Sequence, residues 1–348
     1  MKTKYLTWKQ TNEAAALLKE GELVAFPTDT VFGLGGIASK EAFDRLVTVK
    51  NRTPDKPFAL MCSGLGQIAQ YAEIDYAVLA LAQAFLPGQV TLLLEPRKGL
   101  PSYLTLKSPF IGFRVPDDKD VLDLIDKVGS PVLTTSANIS GAETAIDFKM
   151  AKAAFDSKIA AVIDGKCRGG QATTIVSVGP NHQLTLVREG PVPFKDIEHV
   201  YSSAKPLSIA LGSDHGGYQA KEAIKSHLLE KGFIVIDKGT DSDASCDYPL
   251  FGQAVGEEVS TGEADLGIVA CTTGEGIAMA ANKVKGIRCG IGYNDTVSMK
   301  MREHNNANVI AFGQAHMDLK DILRRVDIFL MEKFSPLEKH HRRVDALE

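Results

Sequence analysis

The stretch Asp265-Leu266-Gly267-Ile268-Val269-Ala270-Cys271-Thr272-Thr273-Gly274-Glu275-Gly276-Ile277-Ala278 carries the most readable chemistry in the chain. Leu266 to Ala270 is a short, nearly continuous apolar run, as a strand buried on both faces would be. It stops at a cysteine, a turn with two glycines follows, and Ile277-Ala278-Met279-Ala280-Ala281 reads as the start of a helix. A thiol placed there lies beside exposed amides that favour negative charge. Those amides would lower the pKa of Cys271 and could hold an oxyanion. A lone cysteine beside a strand–helix turn is more often simply packed; the motifs around it favour the reactive reading.

Polar residues leave other apolar runs in the same way. Leu23-Val24-Ala25-Phe26 runs into Pro27-Thr28-Asp29-Thr30-Val31-Phe32-Gly33-Leu34, which releases two threonine hydroxyls and a carboxylate together. Lys50, Arg52 and Lys56 stand near Pro54 and Pro57, which stiffen the backbone and so present the cations. Such a cluster is usually a solvated basic face. It also suits a polyphosphate, with which Arg and Lys pair well. No G-x-x-x-x-G-K-[ST] is present, so an ATP site here is not a P-loop. Arg114-Val115-Pro116 closes another run, and Thr134-Thr135-Ser136-Ala137-Asn138-Ile139-Ser140-Gly141 gathers small polar groups that could bond a ligand or the loop itself.

The elements that must position these residues differ between the two halves. In the first, helical faces (Ala14, Leu17, Leu18; Ala77, Val78, Leu81, Ala82, Phe85) alternate with strand-like runs at 23–26, 58–61, 90–94, 111–115, 132–134 and 174–178. Residues 195–206 are turn-rich and read as a linker. The second half repeats a strand–helix pattern: strands at 207–211, 233–237, 266–270, 287–290 and 308–312, and helices at 218–231, 252–261, from 277, at 295–304 and at 317–334. That predicts an α/β chain of two domains, residues 1–200 and 206–348, the second a Rossmann-like parallel sheet with helices on both faces. Ligands of such sheets bind beyond the carboxyl ends of the strands. Asp214-His215-Gly216-Gly217, Asp247-Tyr248-Pro249 and Cys271 all fall there. His304 does not: it ends a helix and precedes a strand, so it belongs at the opposite edge and must meet Cys271 from another subunit.

Composition sets limits. A chain of 348 residues favours two domains, and a net charge of −4 does not announce nucleic acid. Five cysteines (Cys62, Cys167, Cys246, Cys271, Cys289) without a C-x-x-C pair argue against a disulfide framework or zinc site and for a reducing compartment. With neither a signal pattern nor an apolar run of transmembrane length, the expected location is the cytoplasm, without membrane contact.

The order and spacing of the first-half motifs resemble the YrdC/Sua5 family, the threonylcarbamoyl-AMP synthases, over about residues 8–195. The resemblance rests on Pro27–Leu34, Lys50-Asn51-Arg52, Pro87-Gly88-Gln89-Val90-Thr91, Arg114-Val115-Pro116 and Ser136–Gly141. It implies a twisted α/β domain that joins L-threonine, bicarbonate and ATP, with Mg²⁺ on the ATP, into threonylcarbamoyl-adenylate for the modification of an adenosine in certain tRNAs. By the same resemblance Thr30, Arg114, Ser136 and Thr173 are threonine-binding positions, Arg114 taking the carboxylate. Lys50, Arg52, Lys56, Asn138, Ser140 and Arg188 are ATP- and bicarbonate-binding positions. Transfer RNA or proteins of that pathway are the implied partners, and a double-stranded RNA-binding module is the alternative. Gln89 stands where the family usually has Pro, and Leu86 where it has Trp.

The second half resembles the RpiB/LacAB family, ribose-5-phosphate isomerase B in particular, over residues 207–345. The carrying residues are Ser213–Gly217, Asp247-Tyr248-Pro249, the Cys271 loop, Ala281-Asn282-Lys283 and His304–Val309. The resemblance implies a metal-free and cofactor-free exchange of ribose 5-phosphate and ribulose 5-phosphate through an enediolate, in a homodimer or larger assembly. Cys271 matches the base, Thr273 and the amides of Thr272, Gly274, Glu275 and Gly276 the enediolate cradle, and His304 the ring-opening group with Asn305 beside it. Asp214, His215, Tyr248, Lys339 and Arg343 match sugar- and phosphate-binding positions. Thr272 replaces a usual Gly, Ala315 a common phosphate-binding Arg, and Lys339 an Arg. Allose 6-phosphate or galactose 6-phosphate are therefore alternative substrates.

Overall fold

The computed structural model describes residues 2–55, 57–179 and 183–347; Lys56 lies outside the described residues. The chain divides into two compact units, Met1–Glu73 with Leu81–Ser203, and Ile74–Ala80 with Ala204–Glu348.

Among the described residues, the first unit is built on ten strands: β1 (Lys4–Leu6), β2 (Val24–Phe26), β3 (Gly33–Ile37), β4 (Ala59–Met61), β5 (Val90–Leu94), β6 (Ile111–Arg114), β7 (Val132–Ser136), β8 (Ala161–Ile163), β9 (Thr174–Val178) and β10 (Leu184–Arg188). They form one mixed sheet in the order β1-β8-β2-β3-β7-β4-β6-β5-β9-β10. The helices up to Ser203 are α1 (Thr11–Lys19), α2 (Lys40–Lys50), α3 (Leu65–Ala69), α4 (Tyr76–Phe85, whose residues up to Ala80 are grouped with the second unit), α5 (Ser102–Thr105), α6 (Lys119–Val128), α7 (Phe148–Phe155) and α8 (Phe194–Ser203). Ala14 and Leu18 of α1 meet Val121, Leu124 and Ile125 of α6 over Val24 and Phe26, which gives one continuous core. Ser39 caps α2, Asp118 caps α6, and Asn51 closes α2 in the left-handed region that asparagine tolerates.

Two segments differ from the sequence expectation. Gly33–Ile37 is a central strand, although it begins inside the stretch that reads as a polar loop. Glycine weakens strands in general, but here neighbours occupy the space a side chain would need. A Cβ on Gly35 would lie 2.8 Å from Val132 Cγ1, and one on Gly36 2.8 Å from Leu23 Cδ2. Most of the segment 195–206, read as a linker, lies in α8 (Phe194–Ser203), with Ile197 buried. Pro193 precedes that helix, where a missing amide does no harm.

The second unit contains β11 (Ser208–Ser213), β12 (Ile234–Asp237), β13 (Leu266–Cys271), β14 (Cys289–Ile291) and β15 (Val309–Gly313), all parallel, in the order β12-β11-β13-β15-β14. Its helices are α9 (Tyr218–Glu230), α10 (Tyr248–Ser260), α11 (Glu275–Ala281), α12 (Asp295–Asn305), α13 (Leu319–Met331) and α14 (Glu338–Asp345). α10 and α11 pack together on one face; α13 packs with α9 and α12 on the other. Close packing over α10 requires small residues in the sheet: Val255 fills the space over Gly212 and Gly267. The strand order reverses between β11 and β13, and there the loops diverge to leave a crevice. Among the described residues, no helix is long and apolar enough to cross a membrane.

Gly217, between β11 and α9, lies so near the end of β13 that a Cβ would sit 2.3 Å from Ala270 O and 2.8 Å from Cys271 N. Both are backbone atoms of a central strand and cannot move aside cheaply. Gly217→Ala should destabilise the second unit by at least about 1–3 kcal/mol, measured as a lowered urea midpoint for that unit's unfolding.

Candidate functional site

In the first unit the polar residues fall into two groups joined by the β2–β3 loop. One group surrounds Lys50, at the end of α2. Its ammonium donates to Ser136 O (2.7 Å), Asn138 O (2.8 Å) and Asn138 Oδ1 (3.2 Å). An ammonium has three protons, so all are engaged. Ser136 Oγ donates to Asn138 Oδ1 at 2.6 Å, and Ser140 N donates back to Lys50 O at 2.9 Å. Lys50 therefore braces the Ser136–Ser140 loop. Arg52 lies over the Phe58 ring, 4.9 Å from its centroid.

The second group forms where β6 ends and β9 begins. Arg114 is ion-paired with Asp29, and both are buried. Asp29 also accepts from Asp117 N at 3.3 Å. Arg188 donates to Thr173 O (2.8 Å) and Thr173 Oγ1 (3.3 Å), and the Thr173 and Thr91 hydroxyls are 2.8 Å apart. Thr30 is held by the Thr28 hydroxyl at 3.1 Å and by Gly170 N, which donates to Thr30 O at 2.6 Å. β6 and β7 run in opposite directions, so Arg114 and Ser136 leave the sheet at opposite ends. The β2–β3 loop spans the difference: its Asp29 reaches Arg114, while Phe32 O accepts from Ala137 N at 2.8 Å. Gln89, where a proline was expected, donates to Asp29 O at 3.1 Å and so helps to hold that loop.

Burial works against every one of these charges. It pushes Lys50 down to about 8, with the Arg52 charge adding to the effect. It also lowers Arg52, Arg114 and Arg188, and it raises the Asp29 carboxyl despite Arg114 beside it. The carboxylates near these cations are Asp55 beside Arg52, and Asp29 and Asp118 beside Arg114.

In the second unit the expected residues again fall into two groups. At the carboxyl edge of the sheet, Cys271 ends β13 and is buried, and its sulfur accepts from Gly274 N at 3.1 Å. Gly274 has φ +84, and a Cβ there would stand 3.0 Å from Gly313 N. The Thr272 hydroxyl lies against Gly216, and Tyr248 covers Gly276, where a Cβ would be 2.8 Å from its Cζ. Thr273 Oγ1 accepts from Glu275 N at 3.3 Å. Asp214 caps the turn at 215–217 by accepting from Gly217 N at 3.1 Å. His215 Nδ1 lies 3.2 Å from both Cys246 N and Cys246 O, so the loop after β12 holds the ring whichever nitrogen carries the proton. The loops after β11, β12 and β13 thus meet around one thiol at the point where strand order reverses. A cavity of ≈ 410 Å³ opens at the same edge, lined by Tyr293, Gln314, Ala315, His316, Asp321 and Arg325 among others.

His304, Asn305, Lys339 and Arg343 form the other group. His304 ends α12, at the edge where β15 starts; Gly313, at the other end of β15, is the register partner of Cys271. The length of that strand, on the order of 13 Å, separates the two groups. His304 stacks on His340 of α14, with ring centroids 4.3 Å apart and planes 12° from parallel. Lys339 and Arg343 are exposed on α14. Asn305 also borders a cavity of ≈ 380 Å³ with Arg288, Cys289 and Met301.

Residue-type reasoning did not single out Asp29, Gln89, Gln314 or His340 as site residues. Gln314 Oε1 accepts from Ala220 N at 2.7 Å, and Gln314 N donates to Cys271 O at 2.9 Å, fastening the thiol loop to α9. The signal for Asp29 was its place between two threonines at a strand end. For Gln89 and Gln314 a single sequence offers no sign.

These are two α/β units of different architecture, one with a cation-rich double cluster and one with a buried thiol at a strand-order reversal. Residues 16–190 match the Sua5/YciO/YrdC family, described as telomere recombination, and residues 209–347 match the LacAB/RpiB family, described as ribose/galactose isomerase. Ribose-5-phosphate isomerase B of Escherichia coli is 41% identical over 139 residues, 40% of this chain and 93% of that protein. Galactose-6-phosphate isomerase subunit LacB of Clostridium acetobutylicum is 39% identical over 142 residues, 41% of this chain and 82% of that protein. The structure of E. coli YciO is 26% identical, with a TM-score of 0.52, and covers 56% of this chain and 99% of that one. The chain belongs to the Sua5/YciO/YrdC family through its first half and to the LacAB/RpiB family through its second.

The buried ammonium yields two expectations. Lys50→Met removes a charged donor shared by three acceptors, of which Asn138 Oδ1 and Ser136 O keep another donor, and should cost about 1–3 kcal/mol. The folded pKa of about 8 lies below the ordinary 10.5, so between these values the unfolded state binds the extra proton. Stability of the wild type relative to Lys50→Met should therefore rise with pH across that window and stay level below it. Urea titrations of both proteins at pH 7, 8, 9 and 10 measure the difference.

Proposed function

We propose that the chain is a bifunctional enzyme. Its first unit makes L-threonylcarbamoyladenylate from L-threonine, bicarbonate and ATP, and its second interconverts ribose 5-phosphate and ribulose 5-phosphate. For the first unit the reading rests on the two cation clusters bridged by the β2–β3 loop. Arg114 takes the threonine carboxylate and Thr30 lies beside it. The Lys50-braced loop carries Ser136 and Asn138 to the other end, where Arg52 answers the phosphates. Adenylation needs alignment and charge stabilisation more than a covalent nucleophile, and this arrangement supplies both. Mg²⁺ arrives with the ATP: the oxygens on that side are hydroxyl and amide, which suits an ion held mainly by phosphate and water. The product's use in tRNA modification makes tRNA, or proteins that act on it, the expected partner. Pyrophosphate release that depends on L-threonine tests the reading. Arg114→Lys, which replaces a planar fork by a point charge, should raise the KM for threonine more than that for ATP. Release indifferent to threonine would exclude the assignment.

For the second unit the carrying observation is the Cys271 sulfur, set under the Gly274 amide where three loops meet. As a thiolate it removes the proton from the carbon next to the carbonyl, and the amides of 272–276 stabilise the enediolate oxygen. The proton returns to the adjacent carbon while the hydroxyl proton passes from O2 to O1, so the step is balanced without an added oxidant. His304 opens the sugar ring from a neighbouring copy, since its own sheet holds it at the far edge. Leu250 of α10 and Met279 of α11, both largely exposed, offer apolar surface for that neighbour. The 39% identity with a galactose-6-phosphate isomerase subunit favours a second reading for the sugar, a phosphohexose. Initial rates with ribose 5-phosphate, allose 6-phosphate and galactose 6-phosphate decide between them.

Cys271→Ala should lose about 10²–10⁴-fold in isomerase rate, and His304→Ala should also be poorly active. Dimers formed from a mixture of the two variants should recover about a quarter of the wild-type rate, since half the dimers hold one intact site of two. Mixed dimers as inactive as their parents would mean that both groups act within one chain.

A further inference from the structure

We propose that His340 is a positioning residue for His304, fixing the plane of the ring that opens the sugar and tying it to the helix that carries the phosphate cations. The proposal rests on the isomerase reading above. His340 is only 3% exposed and lies flat against His304, with centroids 4.3 Å apart and planes 12° from parallel. Its Nδ1 has no hydrogen-bond partner among the described residues. The ring also meets the His304 backbone, so its polar contact and its stacking are both directed at His304. On α14, His340 and Val344 are buried while Lys339 and Arg343, one position before each, are exposed. A single helix therefore presents two cations outward and a stacking ring inward. α12 and α14 pack together, so phosphate drawn to Lys339 and Arg343 also fixes the plane of His304.

The groups facing the ring pair are Lys300 and Glu303 on α12, and Lys339 and Arg343 on α14. Glu303 Oε1 stands 3.7 Å from His304 Nε2. Burial lowers the His304 pKa, and Lys300, His340 and Lys339 lower it further against Glu303. Neutral His304 suits its task. In ring opening the C1–O4 bond breaks with its electron pair going to O4, O4 takes a proton, and the C1 hydroxyl gives one up as C1=O forms. No net proton is consumed, so one imidazole can both give and receive.

Ribulose 5-phosphate separates this step from the rest. Its O5 carries the phosphate, so it is an open chain and reaches the enediolate without ring chemistry. The experiment compares full-length wild type, His340→Ala and His340→Phe. Two rates are read: net isomerisation of ribose 5-phosphate, and uptake of solvent deuterium at C1 of ribulose 5-phosphate. His340→Ala should slow net isomerisation roughly 10- to 100-fold and keep most of the exchange. His340→Phe restores a flat neighbour and should recover most of the net rate, with the acid limb of its pH profile moved to higher pH. His340→Ala with the wild-type rate and profile overturns the proposal. So does loss of exchange in step with isomerisation, or a Phe variant no better than Ala. A wild type that neither exchanges nor isomerises these pentose phosphates overturns the pentose reading as well, which is how the two failures are told apart.

Discussion

A buried charge has to be answered by the groups around it, and the first unit is arranged around that demand. Lys50 is enclosed at the end of α2 and meets three oxygen acceptors on the loop after β7. Without the ammonium, that loop would present its carbonyls to each other. Arg114 meets the same demand differently, by pairing with Asp29 on the loop between β2 and β3. One cation braces the loop after β7, the other the loop after β2, and both loops thereby keep a fixed place over a sheet whose strands are only three to five residues long. Breaking one partner of such a pair leaves an uncompensated buried charge, a larger loss than the pair's net contribution. Both loops are thus fastened by the protein's own groups, with no ligand needed to hold them.

The second unit is governed by direction. Every strand of its sheet runs the same way, so loops that follow strands and loops that precede them lie at opposite edges. Cys271 follows β13 and His304 precedes β15. No side-chain rearrangement within the unit closes a gap of one strand length. A chemistry that needs both groups needs two copies of the unit, with the carboxyl edge of one against the amino edge of the other. A two-fold contact of this kind makes both sites at once, since each copy offers both edges.

Much of this arrangement was legible in the residues. The Leu266–Ala270 run stopping at a cysteine gave β13, the polar residues at three strand ends gave the crevice, and the place of His304 between helix and strand gave its edge. Other features were hidden for physical reasons. The β3 strand is glycine-rich because Val132, Leu23 and Phe26 fill its side-chain space, and tertiary packing of this kind overrides local preference. Lys50 reads as a phosphate ligand from its neighbours, but its protons are taken by carbonyls more than eighty residues away. His340 was concealed inside the run Lys339-His340-His341-Arg342-Arg343, which as composition is only basic. The fold converts that run into a helix with a wet face and a dry one.

That conversion bears on how binding energy reaches the reacting atoms. A phosphate group takes no part in moving a proton between two carbons, so its attraction to Lys339 and Arg343 would serve only to lower KM if it ended there. Binding energy from a remote group raises kcat only when it is spent on orientation at the centre of reaction. On the isomerase proposal, α14 would provide a direct route for such spending: the helix that carries the two cations also carries the ring pressed against His304. Replacing an arginine by Lys339 leaves this route intact, because the helix needs a charge at that position and not a planar fork. On the same proposal, Ala315 would add no charge at the opposite edge, where Arg325 still lines the cavity. On the isomerase proposal, the balance of the two changes would move phosphate recognition toward the amino edge, where His304 lies.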